Sequence, residues 1–430
     1  MKNKLKLLLI LPSLLLASCN FKYSYTIKGL VLGGDGVDDI DDGVDDAGTY
    51  SIKVWVDDKI VPLTQTQIQE FESLSGGKYK INATVEPQSE GTAASSMLQD
   101  VQSGADIFVF AQDQLARLKV AGAVSKLTGN YDTFVRTNNS ADSVKAASLK
   151  DNIYAYPITS DNGYFLYYDK AYISDADATN MTSILAKCRA AGKVLNFEGR
   201  SNGFYAASYF LAMGCYSNWE LNEISGKFEG FKDNFNSDNG KIAAKGLKEI
   251  ADTSVVASNS QASKLSGTAA AVISGVWEYE VALNRIGPER LGCAKMPSFT
   301  VDGVDHQLSS FDGYKLMGVK PQVDAKKASV CRKLAKYLTG ASCQTERFNK
   351  VSWGPTNNEA SQRDEVKSHP GLAALAAQHE YATQQGQCPG AWFVALATTA
   401  KAITANSTDE QISEVLRNYE NGLNELLSED

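Results

Sequence analysis

The stretch Lys150–Lys170, KDNIYAYPITSDNGYFLYYDK, constrains the fold more than any other. Ile153–Thr159 alternates and then runs apolar, as a strand entering a core does. Pro157 removes one backbone donor, which confines that strand to a sheet edge or a crossing. Ser160-Asp161-Asn162-Gly163 breaks it, and the aromatic run Phe165–Tyr168 starts a second strand. Two strands with a polar break between them suit a chain that passes from one lobe to another and leaves a carboxylate at the crossing. Asp161 is therefore expected in a cleft between two lobes, although Asp and Asn are also ordinary turn residues.

The N-terminus sets the compartment. Lys2, Lys4 and Lys6 precede the apolar run Leu7–Ala17, which is far shorter than the ~20 residues a bilayer-spanning helix needs. Leu16-Ala17-Ser18-Cys19 resembles the bacterial lipobox, which implies cleavage after residue 18 and acylation of the Cys19 thiol. The chain is then held to the extracytoplasmic face of the cell membrane by lipid. Removal of residues 1–18 leaves 412 of the 430 residues, enough for two lobes, and takes the formal charge from −8 to −11. An acidic chain with no basic stripe is not built for nucleic acid.

Residues 19–50 form an acidic tether. Asp35, Asp38, Asp39, Asp41, Asp42, Asp45 and Asp46 lie among glycines, with GVDD at 36–39 and again at 43–46. So many like charges with few apolar residues stay extended and disordered. The EF-hand order with its closing glutamate is absent, which leaves calcium as the weaker reading. Cys188, Cys215, Cys293, Cys331, Cys343 and Cys388 show no CxxC or zinc-finger spacing. They suit disulfides or buried free thiols equally, and the spacing does not choose.

From Ser51 the chain reads β-α-β-α-β: strand Ser51–Val56, helix Thr64–Leu74, strand Tyr79–Val85, helix Thr92–Val101 and strand Asp106–Phe110. Such an order predicts parallel strands with ligands beyond their carboxyl ends, where Asp57, Asp58 and Asp113 stand. Later segments read as strand Lys193–Phe197, helix Phe204–Met213, a helix within Phe231–Ile250, strand Ala269–Ser274, a hairpin at Asp312-Gly313 and strand Tyr314–Val319. Helices follow at Ala325–Thr339, Ser342–Lys350, Gly371–Gln384, Trp392–Ala405 and Thr408–Leu427, the last capped by Ser407.

Two chemistries compete. Gly199-Arg200-Ser201-Asn202-Gly203 matches the GxSxG elbow of serine hydrolases, between a strand and a helix. That reading needs an acid and then a histidine downstream; only His306, His369 and His379 exist, and no oxyanion loop of the HGG type is present. The other chemistry is binding. Phe110, Phe204, Tyr205, Trp277 and Trp392 fall where strands or helices end, and flat rings near carboxylates suit a sugar, whose C–H face stacks while its hydroxyls hydrogen-bond. Core packing is the competing role for each ring, and is the expected one for Trp219 and Trp55.

The blocks IKVWVDDK (52–59), SGADIFVFAQDQL (103–115), AYPITSDNGYFLYYDK (155–170), ISGVWEY (273–279), FDGYKLMGV (311–319) and GAWFVALATTA (390–400) resemble, in order and spacing, the maltose-binding branch of the extracellular solute-binding proteins of ABC transporters. The resemblance implies an α/β, two-lobe periplasmic-binding-protein-like fold, each lobe a mainly parallel sheet flanked by helices and joined by crossing hinge strands. It divides the chain into an N-terminal lobe of residues 51–158 and 314–360 and a C-terminal lobe of residues 159–313 and 361–430. It implies a monomer that captures a carbohydrate such as a maltodextrin and docks on permease subunits, with no catalysis, cofactor or metal. The positions that match the family's sugar contacts are Asp58, Lys59, Asp113, Asp161, Phe204 or Tyr205, Trp277 and Trp392, with Glu90 a weaker match. Phe110 stands where the family type has tryptophan, Gln114 and Leu396 where it has arginine, and Asn202 where it has an acid. The aromatic floor is kept while part of the charged fringe is not.

Overall fold

The computed structural model describes residues 45–222, 227–405 and 408–427, with short backbone stretches at 25–27 and 30–32. Cys19, the cleavage site and most of the acidic tether lie outside the described residues.

Ten strands build two sheets. In chain order they are β1 (Gly48–Val56), β2 (Tyr79–Pro87), β3 (Ile107–Ala111), β4 (Tyr156–Thr159), β5 (Phe165–Asp169), β6 (Val194–Asn196), β7 (Val256–Ala257), β8 (Ala269–Ser274), β9 (Leu291–Ala294) and β10 (Lys315–Val319). The first sheet runs β2-β1-β3-β10-β4 and the second β7-β6-β8-β5-β9. Helices that matter below are α1 (Val61–Leu74), α2 (Gly203–Ala212), α3 (Ala325–Leu338), α4 (Pro370–His379), α5 (Gly390–Thr404) and α6 (Asp409–Leu426).

The opening β-α-β-α-β reading holds, since β1 pairs in parallel with both β2 and β3. The period-2 pattern of β1 places Ile52, Val54 and Val56 in the core. In β3 every residue is buried, as expected of a strand covered on both faces. In each sheet four of the five strands run the same way, as expected of a mainly parallel sheet, and one is reversed. β10 pairs antiparallel with β3 and β4, and β5 pairs antiparallel with β8 and β9. Each of these two reversed strands is the first sheet strand after the chain changes lobe. It arrives from the hinge, so it runs against the strands that lead outward from their crossover helices.

Pro157 sits on the edge strand β4, as its missing donor requires. Asp312-Gly313 does not turn a hairpin. It is the return crossing: Ser310–Asp312 pairs in parallel with Ala382–Gln384, and Asn162 of the outward crossing donates its backbone N–H to the Gly313 carbonyl at 3.2 Å. The chain leaves the first lobe again through Trp353-Gly354-Pro355, where the Ser160 amide donates to the Gly354 carbonyl at 2.9 Å.

Two further differences have local causes. The helix expected within Phe231–Ile250 runs Asp238–Leu247, and before it Phe228–Asp233 forms an additional strand paired with Ser217–Leu221, where Trp219 packs its ring on Phe228 and Phe231. Helix α6 is capped by Thr408 rather than Ser407. The Gln411 amide donates to the Thr408 hydroxyl, and the Thr408 amide donates to the Gln411 side chain.

Folded structure also reaches back into the expected tether. Asp46 is fully buried and bonded by Lys333 Nζ at 2.7 Å, the Ser329 hydroxyl at 2.7 Å and the Tyr79 hydroxyl at 3.0 Å, with Lys78 Nζ at 3.2 Å. Burial alone would raise its pKa, but these bonds outweigh it and hold the carboxyl at about 2. The like-charge repulsion that keeps a run of aspartates extended is thus cancelled at this one position. Among the described residues, none of the six cysteines from Cys188 to Cys388 is paired in a disulfide.

Candidate functional site

The carboxyl ends of β1, β2 and β3 and the entry to β10 meet on one side of the first sheet. Opposite them stand the N-terminus of α2, the turn after β8 and the start of α5. Between lies a cleft of about 690 Å³.

The wall from the first lobe is polar. Asp57 caps the turn Asp58–Ile60, its carboxylate accepting the Lys59 amide at 3.0 Å. Burial and the neighbouring Glu90 push the Asp57 carboxyl up to about 6. Burial pushes Asp113 up to about 7, with Arg117 opposing; Asp113 Oδ1 has no partner among the described residues. Lys315 Nζ lies 2.9 Å from Glu90 Oε1 and 3.9 Å from Asp161 Oδ1. Burial depresses the Lys315 ammonium, but Glu90, Asp161 and Asp57 outweigh it and hold its pKa above the ordinary value. Gln114 is fixed between the Ala94 amide and the Glu90 carbonyl, at 2.9 and 2.8 Å.

The facing wall is aromatic. Trp277 follows β8, Phe204 and Tyr205 open α2, and Phe393 stands in the first turn of α5. Asn202 caps α2, accepting the Phe204 amide at 3.0 Å. Phe204 stacks on Phe311 with centroids 5.3 Å apart and packs edge-on to Tyr164 at 5.0 Å. The two walls already touch: Lys59 Nζ donates to the Trp277 carbonyl at 2.8 Å and lies 3.5 Å from Glu278 Oε1.

Of the positions expected from the sequence, the structure brings Lys59, Asp113, Phe204, Tyr205 and Trp277 together in this cleft, with Glu90 beside them. Four lie elsewhere. Asp58 is exposed at the rim, and its neighbour Asp57 takes the cleft position because it is the capping residue. Phe110 is fully buried opposite Leu316 in the sheet, since the central strand β3 is covered on both faces. Asp161 is fully buried at the hinge, not in the cleft; its oxygens accept the Thr159 hydroxyl at 2.6 Å and the Gly354 amide at 2.8 Å. Trp392 is 4 % exposed and donates its indole N–H to the Tyr419 hydroxyl at 2.8 Å. It heads a buried stripe with Leu396, Thr399, Ala400 and Ile403, and consecutive helical residues face different ways, so Phe393 meets the cleft instead.

Lys315, Asn162, Gln385 and Phe393 were not singled out from the sequence as contacts. The strand-end rule points at Asp57 as strongly as at Asp58, and the helical period of α5 separates Phe393 from Trp392. Lys315, Asn162 and Gln385 gain their places from the hinge, which no local pattern encodes.

The elbow Gly199–Gly203 does not assemble a hydrolytic centre. Among the described residues the Ser201 hydroxyl donates to the Glu198 carbonyl, at 3.5 Å. His369 caps α4 and His379 contacts Asp312, so both are engaged away from Ser201, and His306 packs on Phe299. Among the described residues no group of three or more His, Cys, Asp or Glu side chains is placed to hold a metal ion, and no helix is long and apolar enough to cross a membrane.

The model of the bacterial extracellular solute-binding protein family matches residues 66–374, which include nine of the ten sheet strands and most of the cleft residues. The chain belongs to that family. Curated protein sequences offer this solute-binding protein no match. Solved structures share its two-lobe fold. One, a structure with acarbose, aligns at 24 % identity and a TM-score of 0.76, covering 88 % of this chain and all of that one. The maltodextrin-binding protein MalE1 from L. casei BL23, without ligand, aligns at 22 % identity and TM-score 0.71, covering 89 % of this chain and all of its own. The maltose/maltodextrin-binding domain MalE from Bdellovibrio bacteriovorus, bound to maltotriose, aligns at 19 % identity and TM-score 0.70, covering 87 % of this chain and all of its own.

Proposed function

We propose that this solute-binding protein captures a carbohydrate of the oligosaccharide class between its lobes and delivers it to an ABC importer, while lipid on Cys19 holds it at the outer face of the membrane. The observation that carries the reading is the pairing of two unlike walls. Trp277, Phe204 and Phe393 offer ring faces to the C–H side of a pyranose, and Asp57, Asp113 and Glu90 face them with carboxyl groups for its hydroxyls. The solved structures of the same fold that hold acarbose or maltotriose support the ligand class.

Each lobe supplies half of the contacts, so the complete set exists only in the closed form. Ligand therefore shifts the balance toward closure by its differential affinity for that form. The three hinge passages, near Asp161, Gly313 and Gly354, carry the motion, and the lobes move as packed bodies about them. No bond is made or broken, so the acids act as hydrogen-bonding groups, not as a catalytic pair.

The test is a thermal-shift screen over sugars. A bound sugar stabilises the fold as RT ln(1 + [L]/Kd). Trp277→Ala and Phe204→Ala are each expected to remove most of the shift. Full retention of it in both variants refutes the aromatic wall as the site. Anchoring is tested separately: Cys19→Ser is expected to release the chain from the membrane fraction.

A further inference from the structure

A cavity of about 450 Å³ adjoins the hinge and shares no lining residue with the cleft. Helix α4 walls it on one side. All three hinge passages wall it on the other, through Ser160, Phe311, Asp312, Gly354 and Pro355. Ser160 and Tyr314 line this cavity, while their near neighbours in the chain, Asn162 and Lys315, line the cleft. The hinge backbone is therefore the partition between the two spaces. We propose that the hinge cavity is a second binding site, which takes a small molecule with an apolar body and a carboxylate end and, when filled, restrains the hinge in the arrangement where the cleft walls touch. The site does not depend on which solute the cleft takes.

The lining sets the chemistry of the occupant. The volume lies within the range of about 300–1,000 Å³ that independent small molecules occupy. Leu372, Leu375, Val366, Phe311 and Pro355 supply apolar walls for its body. Two polar groups are left for its end. Ser310 is fully buried, and its hydroxyl has no partner among the described residues. Lys367 is exposed, and its ammonium makes no hydrogen bond or ion pair among the described residues. The carboxylate of the lining, Asp312, is already engaged: His379 Nδ1 lies 2.6 Å from it and the Gln384 side chain donates to it at 3.1 Å. A ligand carboxylate thus meets an unpaired cation and an unpaired hydroxyl, whereas a ligand ammonium finds its one counter-charge taken.

The occupant acts on the hinge because α4 rests on it. This helix packs on β5 and β9 of the second sheet. Its leucines reach the crossing strands directly. A Cβ at Gly163 would lie 2.9 Å from Leu375 Cδ1, and one at Gly354 would lie 3.0 Å from Leu372 Cδ2. Rotation of the lobes therefore moves α4 against Gly354 and Pro355 and reshapes the space between them. The cavity has its present shape while Lys59 reaches the Trp277 carbonyl across the cleft. A molecule fitted to this shape binds this arrangement best and shifts the balance toward it.

Calorimetric titration of the full-length protein with octanoate tests the site, with octylamine and octanol as arms that change only the end group. Octanoate is expected to bind at least about tenfold more tightly than either. Lys367→Met removes the cation, and Ala376→Trp fills the cavity from an exposed position on α4. Each is expected to weaken octanoate by about tenfold or more. With octanoate bound, hydrogen exchange at the Ser160 and Gly354 amides, which bond across the hinge, is expected to slow in wild type and not in Ala376→Trp. No binding of octanoate, equal binding of the three end groups, or binding that both variants keep overturns the proposal. So does hinge exchange that bound octanoate leaves unchanged. Maltotriose is titrated in separate runs, so that failure of the hinge site and failure of the cleft reading are told apart.

Discussion

Asp161 accepts the backbone N–H of Gly354 at 2.8 Å, and so pins the first lobe crossing to the third. The same carboxylate takes the Thr159 hydroxyl and faces Lys315 Nζ at 3.9 Å, all within a fully buried hinge. Asp161→Ala leaves a buried amide unsatisfied and weakens the pairing of a buried ammonium. It is expected to cost about 3 kcal/mol by urea denaturation. Asp161→Asn keeps an acceptor for Gly354 and is expected to cost less. An Asp161→Ala midpoint equal to wild type would refute the pin.

Lys59 is the one ammonium described above that bridges the two cleft walls, through Trp277 and Glu278. Its side chain is partly exposed, so Lys59→Ala is expected to change stability by less than about 1 kcal/mol. Its effect falls on geometry instead. Small-angle scattering of the ligand-free variant is expected to give a larger radius of gyration than wild type, as the closed form loses a contact. Equal radii would show that the bridge does not bias closure.

Asp46 makes stability depend on acid. Its carboxyl titrates near 3.8 when unfolded and near 2 when folded, so folding favours the ionised form. That stabilisation is complete above about pH 3.8 and is lost as pH falls toward 2. It is worth about 2 kcal/mol. Asp46→Asn is expected to remove at least that much at neutral pH and to flatten the acid limb of a stability-versus-pH curve.

Asp113 has the opposite sign. Its folded pKa is raised to about 7, so the folded state holds a proton that the unfolded chain has already released. Stability therefore falls as pH rises from about 4 to about 7. Asp113→Asn should abolish that slope and leave the variant the more stable protein above neutrality. Chemical denaturation across this range reads the difference, and an unchanged slope would refute the shift.

Much of this was legible in the sequence, because it is local. Period-2 and period-3.6 patterns gave the strands and helices of the first lobe, and Pro157 limited β4 to an edge or a crossing, of which the structure takes the edge. The strand-end rule led to Asp57 and Asp113 and, through the turn after β8, to Trp277. What escaped depends on contacts distant in sequence. Asp161 is a hinge pin because Gly354 arrives 193 residues later. Asp46 is structural because Lys333 arrives 287 residues later. The Trp219 hairpin is not legible until Phe231 is known to lie opposite Trp219. Phe110 and Trp392 fit the family pattern by position, yet their neighbours assign both to buried packing.

The place of β10 between β3 and β4 has a consequence for how the molecule is made. The first sheet keeps a gap until residues 315–319 emerge, after about three quarters of the chain has been synthesised. Any fragment ending earlier carries two open ladder edges that invite pairing with a neighbour's backbone. The first lobe is thus first in order but not first to finish, and truncation anywhere before Lys315 should yield an aggregating product rather than a smaller soluble one.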